Sequence, residues 1–242
     1  FVSQIKEGGR LIFKKGLDLS GGKTYSANVL ADIQAVNVKV QDGSFYFDFK
    51  NENIVIENIQ LGLPGLHNIE NAVAAIEVAL HLGIDPEKIR MALASYLGVK
   101  RRFEYVVKDA NHIYIDDYAH HPEELRACIN AVKSLYPGKK LTAIFQPHLF
   151  TRTRDFADGF AEVLSLIDDL IMLDIYPARE LPIEGINAEF LAIKMEKTPL
   201  LISKENIIKK LEEQQEELLV ILGAGDIDQI VKPVKAIYEK NN

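Results

Sequence analysis

The chain has 242 residues, 48% of them hydrophobic and 26% charged, and its formal net charge is −7. This balance is typical of a globular protein of one or two domains. A nucleic-acid partner is not expected, because binding phosphates takes clustered Lys and Arg. A membrane partner is not expected either, because no run approaches the roughly 18 apolar residues of a span. No secretory signal pattern is present, so the sequence favours a cytoplasmic location.

Cys128 is the only cysteine in the sequence. A disulfide within one chain and a cysteine-rich structural zinc site are therefore excluded. Since Cys128 falls at a core position of a helical pattern, we expect it to be a buried, small apolar side chain. We assign no metal ligand in this sequence.

The first part of the chain, residues 1–98, is predicted to be β-rich and to end in two helices. Apolar and polar residues alternate over 33–40, Asp42-Gly43 is typical of a turn, and three phenylalanines alternate after it, which predicts a hairpin. Apolar residues then recur at helical spacing over 66–80. Asp85-Pro86 predicts the cap and the first turn of the second helix.

The second part, residues 99–242, alternates short apolar runs with helical patterns. This alternation predicts an α/β fold, a Rossmann-like domain whose mainly parallel sheet is covered on both faces. Ligands of such sheets bind at the carboxyl ends of the strands, so the loops after the strands are candidate sites. The boundary near Gly98 is short, and we expect a hinge there. The predicted strands are 113–115, 141–145, 170–173, 200–202 and 218–222, and the predicted helices are 122–135, 153–167, 188–196, 204–217 and 227–239.

Two glycine-containing segments are similar to nucleotide-binding loops without matching one. Residues 20–24 are Ser-Gly-Gly-Lys-Thr, but a phosphate loop needs a glycine where Leu17 stands, and no helical pattern follows. We interpret this segment as a turn between strands. Gly223-Ala224-Gly225-Asp226 leads from a strand into a helix, but Asp228 stands where a dinucleotide fingerprint has its third glycine. The favoured interpretation is a tight turn capped by Asp226, and a loop lining a ligand cleft is the alternative.

Polar residues at the start of the first predicted helix form one candidate site. Asn68 and Asn71 are three residues apart and therefore share one face of the helix. Two carboxamides there can both donate and accept hydrogen bonds, as recognition of a purine edge requires. The alternatives are that Asn68 only caps the helix and that His67 is an ordinary surface histidine.

Two loops that follow predicted strands form the other candidate site. Asp116-Asp117-Tyr118-Ala119-His120-His121-Pro122 gathers two acids, an aromatic ring and two histidines. Adjacent histidines diverge, unlike the spaced pairs of helical zinc sites, which argues against a metal site. The loop at 146–154 offers Arg152 and Arg154 as guanidiniums for a carboxylate or phosphate. Surface capping and solvated arginines are the alternatives, but the position of both loops at strand ends favours a function.

Together these motifs resemble the Mur ligase family, in five segments that follow the family's order and cover nearly the whole chain. The resemblance implies an ATP-dependent, ADP-forming ligase that joins L-alanine to UDP-N-acetylmuramate through an acyl phosphate, with ATP and Mg²⁺ as cofactors. It implies that residues 1–98 are the C-terminal part of a central ATPase domain and that 99–242 are a Rossmann-like ligase domain. The UDP-binding domain, the phosphate loop and most metal ligands would then lie outside this sequence, and we expect the chain alone to be inactive. The matching segments are LPGLHNIENA (63–72), GVKRRFE (98–104), DDYAHHP (116–122), QPHLFTRTRD (146–155) and GAGDI (223–227).

The resemblance also implies a role for each matched residue. His67, Asn68 and Asn71 would face the adenine side of the nucleotide. Arg102 would approach the phosphates, Asp117 would bind ribose hydroxyls, and Tyr118 would lie near the nucleotide. His120, His148 and Arg152 would face the acyl phosphate and the incoming alanine. Leu149 departs from the family's pattern, in which arginine is frequent at that position.

The sequence leaves two other functions open. A murein tripeptide ligase of wall recycling shares the Asp-Tyr-Ala-His-His-Pro type of turn, although the segment around His148 fits the alanine-joining enzymes better. A non-catalytic α/β module that binds a nucleotide or an anion in its cleft would also use these loops.

Overall fold

The computed structural model describes residues 2–41, 44–96 and 98–240. The chain divides into two compact units, Phe1–Leu97 and Gly98–Asn242. This division falls next to the boundary that the sequence suggests. That the units are parts of an ATPase domain and a ligase domain stays a prediction.

The first unit contains a five-stranded sheet followed by two helices. Its elements are a 3-10 turn (Val2–Gln4), β1 (Ile12–Lys14), β2 (Lys23–Ser26), β3 (Ile33–Gln41), β4 (Ser44–Lys50), β5 (Val55–Leu61), α1 (Leu66–His81) and α2 (Pro86–Ser95). The strands are ordered β1-β2-β3-β4-β5, with β1, β2 and β3 parallel and the last two pairings antiparallel. The predicted hairpin is therefore the β3–β4 pair, although its turn at Asp42-Gly43 lies outside the described residues.

The core of this unit follows from the alternation of apolar residues in the strands and from their helical spacing in α1. Phe45, Phe47 and Phe49 project from one side of β4 because side chains alternate along a strand, and all three are buried. The buried positions of α1 recur at helical spacing and include Ile69, Val73 and Ile76. The α2 helix begins as predicted, with the Asp85 carboxylate accepting hydrogen bonds from two backbone N–H groups of its first turn.

The predicted turn at residues 20–24 is also present. Gly21 has a φ of 77°, which a glycine adopts without strain. The chain then enters β2 at Lys23 rather than a helix. The segment therefore connects two strands, as interpreted.

The second unit is an α/β domain with a six-stranded, mainly parallel sheet, as predicted. Its strands are β6 (Glu104–Lys108), β7 (Ile113–Asp117), β8 (Thr142–Phe145), β9 (Asp169–Met172), β10 (Leu200–Leu201) and β11 (Leu218–Leu222). They are ordered β10-β9-β8-β11-β7-β6, and every pairing is parallel except that of β6 with β7. The carboxyl ends of five strands therefore meet along one edge.

Helices cover both faces of this sheet. They are α3 (Pro122–Leu135), α4 (Phe150–Asp155), α5 (Ala157–Leu164), α6 (Ala188–Ala192), α7 (Lys204–Glu213) and α8 (Asp228–Lys240). Ile144 of β8 belongs to the core formed with α7 and α8. The next residue, Phe145, faces the opposite side, where its ring lies 5.8 Å from that of Phe160 in α5. Cys128 of α3 is buried, as expected.

Some predicted elements differ from those in the structure. The edge strand β6 was not predicted. The predicted helix 153–167 begins earlier and is broken at Phe156 into α4 and α5, and the ring of Phe156 lies 4.5 Å from that of His121. The α6 and α7 helices end earlier than predicted. The α8 helix runs through Pro233.

Candidate active site at the carboxyl end of the second sheet

The loops after β7, β8 and β9 meet at the carboxyl edge of the second unit's sheet. The loop after β8 pairs with the loop after β9 through a parallel bridge between His148 and Tyr176. The imidazole of His148 stacks on the Tyr176 ring, with 5.6 Å between centroids, and lies 5.7 Å from the imidazole of His120. Predicted residues that are 28 positions apart in sequence are thus brought into contact.

The two loops that carry these histidines do not follow neighbouring strands. The strand β11 lies between β7 and β8 and pairs with both. The loops after β7 and β8 meet nonetheless, through the imidazoles of His120 and His148.

Arg152 is in α4, and its guanidinium lies beside the imidazole of His148, which precedes that helix. Its Nη1 is 3.1 Å from Nδ1 of His148. Burial, together with the charges of Arg152 and His120, lowers the pKa of His148. His148 is therefore neutral near pH 7. A guanidinium can only donate, so Nδ1 of His148 is the acceptor and its proton is on Nε2.

His120 takes the opposite tautomer. Its Nδ1 lies 2.9 Å from the carbonyl oxygen of Tyr118 and 3.2 Å from Oε2 of Glu124. Both partners are acceptors, so Nδ1 carries the proton. When His120 is neutral, its Nε2 is consequently a lone pair that can take a proton. The site therefore combines a donor at Nε2 of His148 with a base at Nε2 of His120.

The turn that carries His120 is fixed by hydrogen bonds that its backbone donates to the carboxylate of Glu124. Pro122 occupies the first position of α3, as predicted, and Glu124 Oε2 accepts from the backbone N–H groups of His120 and His121 at 3.1 and 3.2 Å. The two histidine rings diverge, since His121 lies against Phe156 and His120 faces His148.

Asp117 holds the same turn from its other side. Its Oδ1 accepts from the N–H of Ala119 and its Oδ2 from the N–H of Phe103, both at 2.7 Å. Arg102 is exposed beside it and acts electrostatically to lower the pKa of Asp117. Burial is the larger effect and raises that pKa.

A model of the Mur ligase family, described as "Mur ligase, glutamate ligase domain", matches residues 101–227. This match covers more than half of the chain, including all the site residues of the second unit. The chain belongs to the Mur ligase family. It is 42% identical over all its 242 residues to the UDP-N-acetylmuramate–L-alanine ligase of Flavobacterium johnsoniae, of which it covers 54%. The chain thus spans about half the length of the curated relatives it matches.

Solved structures of Mur ligases share the fold. The UDP-N-acetylmuramate–alanine ligase of Thermotoga maritima superposes on 92% of this chain and 49% of its own, with a TM-score of 0.74 and 24% identity. The MurF ligase of Thermotoga maritima, whose structure is a complex with ADP, covers 91% of this chain and 50% of its own, with a TM-score of 0.67 and 20% identity.

Sequence reasoning missed one arginine of this candidate site. Arg101 donates from Nη2 to the carbonyl oxygen of Gly223 at 2.6 Å and from Nε to Asp116 Oδ2 at 3.3 Å. Its guanidinium also lies 5.1 Å from the ring centroid of Tyr118. Arg101 thus connects the ends of β7 and β11 to the turn that carries His120. The Arg101-Arg102 doublet was a signal, but sequence alone does not show which arginine points inward.

Asp116 is the buried partner of Arg101. It is only 1% exposed, and its Oδ1 has no hydrogen-bond partner. Burial raises the pKa of Asp116 to about 6, against the lowering effect of Arg101. This carboxylate is inside the sheet edge, so it fixes the site rather than contacting a ligand.

The glycine-containing turn after β11 is held by Gln146, which directly follows the neighbouring strand β8. Gln146 is buried; its Oε1 accepts from the N–H of Ile227 at 2.9 Å and its Nε2 donates to Asp226 at 2.8 Å. Lys204 also pairs with Asp226. The Asp226 carboxylate therefore bonds to side chains from neighbouring loops, whereas we expected it to cap α8. A Cβ on Gly225 would lie 2.6 Å from Gln146 Oε1 and 2.7 Å from Tyr176, so this close approach requires glycine.

The remaining predicted residues belong to the first unit. His67, Asn68 and Asn71 lie on the first turns of α1, and His67 and Asn71 are exposed. The N-cap of α1 is Gly65, so Asn68 does not cap the helix; its Nδ2 donates to the carbonyl oxygen of Pro64 at 2.7 Å.

Across 2–41, 44–96 and 98–240, no group of three or more His, Cys, Asp or Glu side chains is arranged to hold a metal ion. None of the helices in these ranges is long and apolar enough to cross a membrane.

Proposed function

We propose that this chain forms the amino-acid-accepting part of an ADP-forming ligase that joins L-alanine to UDP-N-acetylmuramate in peptidoglycan precursor synthesis. Identity to the alanine ligase of Flavobacterium johnsoniae along the whole chain supports this substrate pair. The structural observation that carries the proposal is that the His120 and His148 imidazoles lie 5.7 Å apart beside Arg152, with Nδ1 of His120 facing an acceptor and Nδ1 of His148 facing a donor. An amide ligase of this kind acts in the cytoplasm, where its nucleotide substrates are found.

The reaction sets the tasks for these residues. ATP supplies a phosphoryl group that turns the substrate carboxylate into an acyl phosphate, with release of ADP. The nitrogen of alanine then forms a bond to the acyl carbon, and inorganic phosphate leaves. Alanine's ammonium must first lose a proton, and two anionic groups must be held together.

The geometry of the second unit matches those tasks. Nε2 of His120 is the lone pair that takes the proton from alanine's ammonium. Nε2–H of His148 donates to an oxygen of the acyl phosphate, since a neutral imidazole with this tautomer is a donor. Arg152 binds the carboxylate of alanine through its guanidinium fork. The two parallel N–H groups of a guanidinium fit a carboxylate better than the ammonium group of a lysine would.

Nucleotide contacts are proposed for each unit separately. The Asp117 carboxylate accepts two backbone N–H groups, and the Cys128 thiol also donates to it. One lone pair of the carboxylate then remains for a ribose hydroxyl. Arg102 would neutralise phosphate charge, and Tyr118 would lie near the nucleotide. His67, Asn68 and Asn71 would face the adenine side. This assignment makes the first unit the end of an ATPase domain and the second the ligase domain. Mg²⁺ accompanies ATP, but we assign it no ligand among the described residues.

The proposal is tested in a joined ligase, made by fusing this chain to the part of the Flavobacterium johnsoniae relative that the match does not cover. ADP release is measured with ATP, Mg²⁺ and UDP-N-acetylmuramate, and with either L-alanine or the wall tripeptide as the amine. We expect ADP release that requires L-alanine. The chain alone, whose 242 residues contain no phosphate-loop motif, is the blank.

Two results would contradict the proposal. Preference for the tripeptide would assign the chain to a murein tripeptide ligase. A folded joined ligase that binds nucleotide but forms no amide with either amine would favour a non-catalytic binding module.

A further inference from the structure

The backbone between His148 and Arg152 is strained. Leu149, the N-cap of α4, has φ 72° and ψ 133°, a conformation that suits glycine and crowds any side chain. Such a residue keeps this conformation only where its surroundings hold it in place. Because Leu149 directly follows His148 and starts the helix with Arg152, whatever holds Leu149 also sets the geometry of that pair.

The loop after β9 provides part of this support. The N–H of Leu149 donates to the carbonyl oxygen of Tyr176 at 2.9 Å, and the N–H of Tyr176 donates to that of Pro147 at 2.8 Å. These bonds fix the loop before α4, but they do not fix the direction in which the helix leaves it.

Glu180 fixes that direction. Its Oε2 accepts from the N–H of Thr151 at 3.0 Å, its Oε1 accepts from the Thr151 hydroxyl, and the N–H of Phe150 also contributes. These N–H groups belong to the first turn of α4, where no intrahelical acceptor exists. The same bonds lower the pKa of Glu180, which therefore stays ionised near neutral pH.

We propose that Glu180 is a positioning residue: by holding the first turn of α4, it keeps the Arg152 guanidinium on Nδ1 of His148 and so selects the His148 tautomer. Glu180 acts through Thr151 and makes no contact with substrate in this account. Its effect on His148 is independent of the ligase reaction, whereas its effect on catalysis rests on the proposed function.

The first test is an NMR titration of His148 in the whole chain. Glu180→Ala releases α4, so Arg152 moves away and the His148 pKa rises toward its ordinary value. The negative charge of Glu180 itself raises that pKa. Loss of charge alone would therefore lower it, and the two explanations predict opposite signs.

Conservative variants separate positioning from folding. Glu180→Gln keeps an acceptor for the Thr151 N–H, so we expect the tautomer to persist and the His148 pKa to stay or fall. Thr151→Val removes only the hydroxyl bond and should raise the His148 pKa by less than Glu180→Ala does, whereas Thr151→Ser keeps the hydroxyl and should act like the wild type. Glu184→Gln, an exposed carboxylate of the same loop, is the matched control and should change nothing. A fall or no change of the His148 pKa in folded Glu180→Ala and Thr151→Val would overturn the proposal.

The second test uses the joined ligase. Glu180→Ala should lower kcat/KM for L-alanine by roughly tenfold or more and leave KM for ATP unchanged, because Arg152 serves the amino acid. Equal losses for both substrates would overturn the positioning role in catalysis. If the joined ligase with wild-type Glu180 is inactive, the proposed function fails, and the NMR titration still decides the role of Glu180.

Discussion

The two ends of the second unit's sheet are built differently. At the amino end, the charged side chains form surface ion pairs, such as Lys140 with Asp169 and Lys133 with Asp168, and both members of each pair are more than 40% exposed. At the carboxyl end, charged groups are partly or fully buried and bond to backbone atoms of neighbouring loops, as Arg101, Asp117 and Glu180 do.

Backbone strain follows the same division. Among the described residues of this unit, four non-glycine residues have positive φ, and all four lie at the carboxyl end: Arg101, Phe103, Leu149 and Ala178. At the amino end a glycine, Gly138, takes such a conformation. Strain and buried charge lower stability, so their concentration at one end marks the edge where the geometry serves a ligand.

The largest expected effect is on catalysis at the carboxyl end. Arg152→Lys in the joined ligase should lower kcat/KM for L-alanine by about 2–4 kcal/mol, roughly 30- to 1,000-fold, because lysine cannot reproduce the guanidinium fork. Steady-state kinetics with alanine varied measures this. Arg154→Lys is the matched control, since Arg154 is exposed and pairs with Asp155. If Arg152→Lys stays within about threefold of the wild type, Arg152 is a surface residue.

The second expected effect is on the pH dependence of stability. Burial raises the Asp116 pKa from 3.8 to about 6. Between these values the folded protein binds the proton more tightly than the unfolded chain. The contribution of Asp116 is therefore favourable below pH 4 and is lost as pH rises through 6, by about 3 kcal/mol.

The measurement is the difference in unfolding free energy between wild type and Asp116→Asn, from urea titrations at several pH values. We expect the wild type to lose about 2.4 kcal/mol relative to the variant between pH 4 and pH 7. Lys140→Met, at the amino end, should show a small difference that varies little over this range. A constant difference for Asp116→Asn would show that its carboxyl is not perturbed.

The smallest expected effect comes from Leu149. Both Leu149→Ala and Leu149→Gly remove the side chain, but only glycine relieves the backbone strain. We therefore expect the glycine variant to be more stable than the alanine variant by about 1 kcal/mol. At Lys133, inside α3, the order should be reversed by a similar amount. Thermal unfolding of the four variants decides this, and an alanine advantage at both positions would exclude strain at Leu149.

The sequence predicted the parallel strands because each is an apolar run between helical patterns. It missed β6, whose Glu104 and Lys108 place charges at both ends of a short edge strand. It could not provide strand order, since β11 is last in the chain yet lies between β7 and β8. Periodicity describes one element at a time, whereas strand order depends on how the elements pack together.

The candidate site was predictable in part for a related reason. His120, His148 and Arg152 stand in motifs at strand ends, and the structure brings them together. Arg101 and Glu180 were missed because their roles depend on positive φ values and on contacts between distant loops, neither of which has a local sequence pattern. The ligand roles of the predicted residues stay predictions.

The central claim is that the carboxyl end holds two histidines in opposite protonation forms, one as a proton acceptor and one as a donor. Long-range ¹H–¹⁵N NMR spectra of the whole chain at pH 7.5 or above report the tautomer of each imidazole directly. We predict a proton on Nδ1 of His120, held by the Tyr118 carbonyl, and on Nε2 of His148, imposed by Arg152. Variant Arg152→Met should release His148 to a mixture of tautomers and leave His120 unchanged. The same tautomer for both histidines in the wild type would contradict the account.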